Sequence, residues 1–250
     1  MNVRFCAIGP VWSFCLLAVL PFVALGAVVS PRFIISQQDG DHFLRGVPGL
    51  STLGNGQSLP LGASVFVRKD ARLEVAAASG ELLRFGQMTN FVLKKPRELY
   101  LWKGAALLSL PGKDPVFAIQ SPLASMKVAG PGALMMGVTE SGGFKVIGLH
   151  GQVELLISKL ATQTIRPGEL LFIYTGSRDF SRKVNIELST LMQTATLIRD
   201  FEKPLPFLAD IVTSSKRQNR RIKNRFRVLV GDAKTDKEFQ LMIIDEEKKE

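Results

Sequence analysis

The residues able to do chemistry are few and scattered. The two histidines are His42 and His150. His42 closes the run Asp39-Gly40-Asp41-His42, whose donors lie too near one another along the chain to surround a single ion. A polar surface loop is the expected setting. His150, between Leu149 and Gly151 at an expected strand junction, reads as a turn or sheet residue rather than a general base. The Gly-x-Ser-x-Gly elbow of serine hydrolases is absent. Ser158 and Lys159 are neighbours, so on a strand their side chains point to opposite faces. Gly112-Lys113 lacks the upstream glycine of a phosphate loop and opens no helix. The acids of the central region, among them Asp70, Glu74, Glu81, Glu98 and Glu154, fall mostly in turns or on wet faces. No constellation for catalysis, metal or cofactor emerges. The expectation is a protein that is not an enzyme and carries no cofactor.

Two groupings suit binding instead. Between Asp210 and Asp232 there is no acid, while Lys216, Arg217, Arg220, Arg221, Lys223, Arg225 and Arg227 all fall there. Such a block docks an anionic membrane surface, docks a partner, or is simply a solvated helix face. Near a lipid surface each cation is worth about 1 kcal/mol. The accompanying apolar face, chiefly Ile211, Val212 and Ile222, is thin for insertion. The second grouping is Lys94, Lys95 and Arg97 beside Tyr100 and Trp102. Basic patches with aromatics bind nucleic acid in other settings, but an export signal argues against that partner. A glycan or another envelope polymer would fit better than nucleic acid, but the first expectation is that Trp102 packs in the core.

The export signal is the first thirty residues. No charge appears between Arg4 and Arg32, and residues 5–29 are almost continuously apolar. Pro21 followed by the small residues Ala24, Gly26 and Ala27 completes a secretory signal peptide, with cleavage after Gly26. An uncleaved inner-membrane anchor is the alternative, since about 20 apolar residues span a bilayer. Both cysteines, Cys6 and Cys15, lie in this segment. Cleavage would leave a periplasmic or secreted chain without the disulfides common among exported domains.

These groupings need elements to hold them. From about residue 58 to 174, short apolar or alternating runs recur between turn signals such as Ser79-Gly80, Gly130-Pro131-Gly132 and Pro167-Gly168. That spacing predicts a mainly β fold, a roll or sandwich of short antiparallel strands. In Arg72-Leu73-Glu74-Val75 the alternation predicts one buried and one wet face. Ser141-Gly142-Gly143 suits a tight hairpin turn. Residues 27–57 read as an entry segment with one short strand near 33–35. After Arg178 the period becomes helical: Leu188, Leu191, Met192, Ala195, Ile198 and Phe201 share a face, with Asn185 as N-cap. Pro204 and Pro206 stop this helix, and a basic helix follows over about 208–224. Runs at 226–230 and 239–244 could pair as a hairpin.

Ser79-Gly80 and the run from Val146 to Leu155 through Gly148 and Gly151 resemble segments of the FecR-like domain, an extracytoplasmic β module. Leu61-Gly62-Ala63 with Ala71-Arg72-Leu73-Glu74 is similar to its opening strands. Trp102-Lys103-Gly104-Ala105 resembles the place where a glycine after a basic residue starts a new strand. Phe117-Ala118-Ile119-Gln120-Ser121-Pro122 resembles its central strand and Ser/Thr-Pro turn, and Ile165-Arg166-Pro167-Gly168-Glu169 its closing strands. After Val128-Ala129-Gly130, Pro131 and Ala133 stand where the family usually has Thr and an aromatic residue. The resemblance covers about residues 58–174 and implies a fold more than a job. Relay members of the family carry a cytosolic sigma-regulating segment; only four residues precede the apolar stretch here, so no direct hold on a sigma factor is expected.

The organisation expected is a signal or anchor at 1–26, an entry segment at 27–57, a FecR-like β domain at 58–176 and a helical basic appendage at 177–250. The expected function is an envelope interaction module, binding a protein or polymer, with a place in sensing or transport implied by the resemblance. The second reading is a structural protein that assembles into oligomers through exposed sheet edges.

Overall fold

The computed structural model describes residues 32–46, 52–112, 116–158, 161–174 and 180–222, plus strand residues 229–230 and 242–243. The apolar segment of residues 5–29 lies outside them. The first strands are β1 (Phe33–Asp39), β2 (His42–Arg45), β3 (Ser64–Val67), β4 (Arg72–Ala77), β5 (Leu82–Phe85) and β6 (Asn90–Lys95). Next come β7 (Glu98–Lys103), β8 (Ala105–Leu110), β9 (Phe117–Gln120), β10 (Ser125–Ala129), β11 (Gly132–Val138) and β12 (Phe144–Gly151). The series closes with β13 (Val153–Ser158), β14 (Ala161–Ile165), β15 (Glu169–Ile173) and β16 (Val184–Asn185), before α1 (Leu188–Thr194), α2 (Thr196–Arg199) and α3 (Leu208–Ile222). Last are β17 (Leu229–Val230) and β18 (Met242–Ile243), which pair as the expected hairpin.

The strands form two eight-stranded sheets. Sheet A runs β1-β4-β5-β8-β11-β12-β15-β16, and sheet B runs β14-β13-β10-β9-β7-β6-β3-β2. The mainly β, largely antiparallel sandwich matches the strand pattern of the sequence. One pair is parallel: β7 against β9. Between them in the chain comes β8, which belongs to sheet A. The hairpin at Ser141-Gly142-Gly143 joins β11 to β12 as expected, with Gly142 at φ +82°.

The inner faces of both sheets make one apolar core, including Leu73, Phe85, Phe91, Leu99, Phe117 and Phe144. A second apolar layer lies on the outer side of sheet A. There Leu107, Met135, Ile147 and Leu149 meet Leu188, Leu191, Ile198, Phe207 and Ile211 of the helical region. The sequence carries this difference. β11, Gly-Ala-Leu-Met-Met-Gly-Val, is buried at every position, as a strand covered on both faces must be. β10, Ser-Met-Lys-Val-Ala, alternates exposed and buried, as a strand with one wet face does.

Several expectations need correction. The entry segment holds two strands, not one short one: β1 pairs with β4 in sheet A and β2 with β3 in sheet B. Asn185 is no N-cap; it pairs with Glu169 in β16, and Glu187 precedes α1 instead. The hydroxyls of Ser189 and Thr190 donate to the Glu187 carboxylate. The single helix over 188–201 is broken at Ala195, which turns extended at φ −73° and ψ 112°. Nor is the Glu74 face of β4 wet. Glu74 and Arg84, directly opposite on β4 and β5, are both buried beneath the segment that follows α1.

Arg84 fixes that segment to the sheet. Its Nε donates to Glu74 Oε2 at 2.7 Å, and one terminal nitrogen donates to Leu197 O at 3.1 Å and Ile198 O at 3.4 Å. The other donates to Lys203 O, and the guanidinium lies 4.3 Å from the Phe201 ring centroid. Helix ends leave carbonyls without partners, and a buried arginine with five donors can satisfy several. Ser36 donates to the other Glu74 oxygen at 2.6 Å, and Glu202 N donates to Gln37 Oε1 at 3.0 Å.

His42 is buried on β2 rather than exposed in a polar loop. Its ring nitrogens lie 3.1 Å from Gly40 O and 3.1 Å from Arg72 O, tying an edge strand of sheet B to sheet A. Burial lowers its pKa below 6.5, outweighing the upward pull of those carbonyls and of Asp41 and Asp39. Below 6.5 the unfolded chain takes up a proton that the folded chain still refuses, so stability falls with pH until the lower folded pKa is passed. Urea unfolding at about pH 7.5 and about pH 5.5 should show this loss, and His42→Gln should reduce the difference between the two. An undiminished difference would assign the acid sensitivity to other groups.

Candidate binding surfaces

The cationic helix is held from one side. In α3, Ile211 and Ser215 are buried. Gln218 accepts from Leu188 N at 2.9 Å and donates to Ile186 O at 2.6 Å, supplying a partner to the first turn of α1 that the helix cannot supply itself. Phe207, just ahead of α3, stacks on His150 with centroids 5.3 Å apart. The opposite side carries Lys216, Arg217 and Arg220, all exposed. The Arg221 side chain, and Lys223, Arg225 and Arg227, lie outside the described residues. Of the seven cations, then, three are placed on one solvent-facing side.

Arg217 alone of these lines an open groove of about 880 Å³ between α3 and the turns at one end of the sandwich. Asp210 and Ser214 of α3 line it too, opposite His150, Gln152 and Glu154. The charges are mixed. The ring of His150 is engaged by Phe207, and no hydrogen bond joins it to Ser214 or Asp210 among the described residues. The groove offers polar contacts without a nucleophile paired to a base.

The second surface is the outer face of sheet B, and here the sequence reading of Trp102 is overturned. Trp102 is not core; it is 51% exposed. The register explains it. In β7, Leu99 and Leu101 point inward and are fully buried, so Tyr100 and Trp102 must point outward. Their rings lie 4.6 Å apart at 56°. Lys94 of β6 sits 4.6 Å above the Tyr100 ring and donates to Gln120 Oε1 of β9 at 3.1 Å. Gln120 pairs with Tyr100 along β7 and with Ser125 on β10. Lys127 is exposed on β10, between Ala118 and Leu156, and makes no ion pair among the described residues. Phe43 is exposed at the β2 edge, opposite Phe66, with the Arg68 guanidinium 5.0 Å from its ring.

The other two cations expected beside the aromatics are drawn away. Lys95 pairs with Glu98 at 3.1 Å. Arg97 turns to Glu81, donating at 3.1 Å and 2.8 Å. Burial pushes the Glu81 carboxyl up, but the hydrogen bonds from Ser79 and Arg97 outweigh it and hold the pKa below its ordinary value. Lys127, with no local link to Trp102, lies on the same outer face through the β9 and β10 pairings, in line with Ala118 and Glu98. Only strand order could have revealed it.

No family model matches the chain. No curated protein matches it either. Two crystal structures titled as a putative anti-sigma factor from Parabacteroides distasonis are similar to it. The one at 1.65 Å is 14% identical with a TM-score of 0.42, covering 74% of this chain and 86% of that one. The one at 2.50 Å is 15% identical with a TM-score of 0.43, covering 74% and 85%. Likeness at that level says nothing of function. Among the described residues no helix is long and apolar enough to cross a membrane.

Proposed function

We propose that this chain is an extracytoplasmic binding module, not an enzyme, whose ligand lies on the outer face of sheet B. Its address is the periplasm or the exterior, following the signal-like start, and its β portion is read as FecR-like from the runs that resemble that family. A role within an envelope sensing or transport system fits both. The observation that carries the reading is an asymmetry. Sheet A is roofed by the helical region, whereas the outward side chains of sheet B include Trp102, left half in solvent. Contiguous exposed apolar surface rimmed by polar residues marks interaction sites, and Trp and Tyr are enriched at their energetic centres. The cationic face of α3 is a subsidiary surface that attracts anionic partners at longer range. The experiment that tests this follows the emission of Trp102 while the native envelope fraction is added; binding on sheet B should shield the ring.

A further inference from the structure

We infer that the ligand of this face is an anionic glycan, held with its sugar rings against Tyr100 and Trp102 and its acidic groups near Lys94 and Lys127. This rests on the binding-module reading above and gives it a ligand class. The aromatics stand two residues apart on β7 with ring centroids 4.6 Å apart; Lys94 lies over Tyr100 and Trp102 offers the exposed ring, on an open sheet rather than in a cavity. A flat site of that kind suits a chain that continues past it better than a small molecule, which needs enclosure. The apolar faces of sugar rings pack on aromatic faces, whose quadrupole favours C–H groups above the ring. Gln120 accepts from Lys94 through its oxygen, leaving its amide N–H groups for hydroxyls or carboxylates. The charge is complementary. Glu98 is already taken by Lys95, while Lys127 is exposed without an ion-pair partner among the described residues.

The test must separate stacking from bulk attraction, because the chain carries a net charge of +10 and any polyanion attracts it. Retardation of the full chain in native gels containing polygalacturonate is compared with dextran at about 0.15 M salt, where distant charges are screened. Retardation by polygalacturonate alone is expected, with affinity about tenfold weaker in Trp102→Ala, which leaves the charge unchanged. Lys127→Gln should also weaken it, and Arg220→Gln on α3 should not. Equal retardation of Trp102→Ala and the parent, or loss in Arg220→Gln alone, would overturn the glycan assignment. Protease treatment of the envelope fraction separates this inference from the reading beneath it. Shielding of Trp102 that survives digestion supports a glycan; shielding abolished by digestion identifies a protein ligand on the same face and overturns the glycan. Absence of shielding from either fraction overturns both.

Discussion

Replacing Arg84 with alanine should cost about 3–5 kcal/mol of folding stability, the range for breaking a buried ion pair by removing one partner. The side chains of Arg84 and Glu74 are 1% and 4% exposed, so solvent cannot take over the lost contacts. Among the described residues alanine leaves Glu74 with Ser36 as its one side-chain donor, and it removes the partner of the carbonyls of Leu197, Ile198 and Lys203. Domains of this size have about 5–15 kcal/mol in total, so the variant should stand near the edge of folding. Equilibrium urea unfolding measures it. The double change Arg84→Met with Glu74→Leu should lose less than the single one, because apolar residues of similar volume often replace a buried pair at little cost. A single-variant loss below about 1 kcal/mol would mean that the helical region is not fastened through Arg84.

The second large effect is expected at Gly104. Here the chain leaves β7 in sheet B and enters β8 in sheet A. The same crossing is made nearby between β5 and β6, and buried Thr89 sits on it, its hydroxyl donating to Ala105 O at 3.1 Å and accepting from Ala105 N at 3.2 Å. Gly104 has φ +89°, and an added Cβ would lie 2.6 Å from Thr89 Cα. An L side chain is strained at that angle, and here the atom in its way is backbone that cannot swing aside. Gly104→Ala should therefore cost roughly 2–4 kcal/mol in urea unfolding. A loss below about 0.5 kcal/mol would show that the two crossings are not in close contact.

Much of this architecture is legible from residue pattern. Alternation in Ser125-Met126-Lys127-Val128 and the glycines at 142 and 143 place β10 and the β11–β12 hairpin without any tertiary knowledge. The unbroken apolar run of β11 carries a further message, that something must cover its second face. The helical region answers it with Leu188, Leu191 and Ile198. What pattern could not supply is the identity of neighbours across the fold. Arg84 and Glu74 look like ordinary wet-face charges until the segment after α1 is laid over them. Trp102 looks like core by type, yet its position two residues after outward Tyr100 decides otherwise. The cationic cluster was visible as composition, but only strand and helix placement separates Arg217, at the groove, from Lys216 and Arg220, away from it. Lys127 joins the aromatic face through two strand pairings that no local window contains.

The central claim is that the uncovered face of sheet B receives the ligand. In a Trp12→Phe chain, Trp102 is the one remaining tryptophan, and its emission reports that face directly. Free, it should emit as a solvent-exposed indole and be readily quenched by acrylamide. With the envelope fraction of the organism that makes the chain, the emission should shift to shorter wavelength and the quenching should fall by about half, as contact with a ligand removes water from the ring. Bound chain whose Trp102 stays as red-shifted and as quenchable as before would contradict the account and move the binding site to the face of α3.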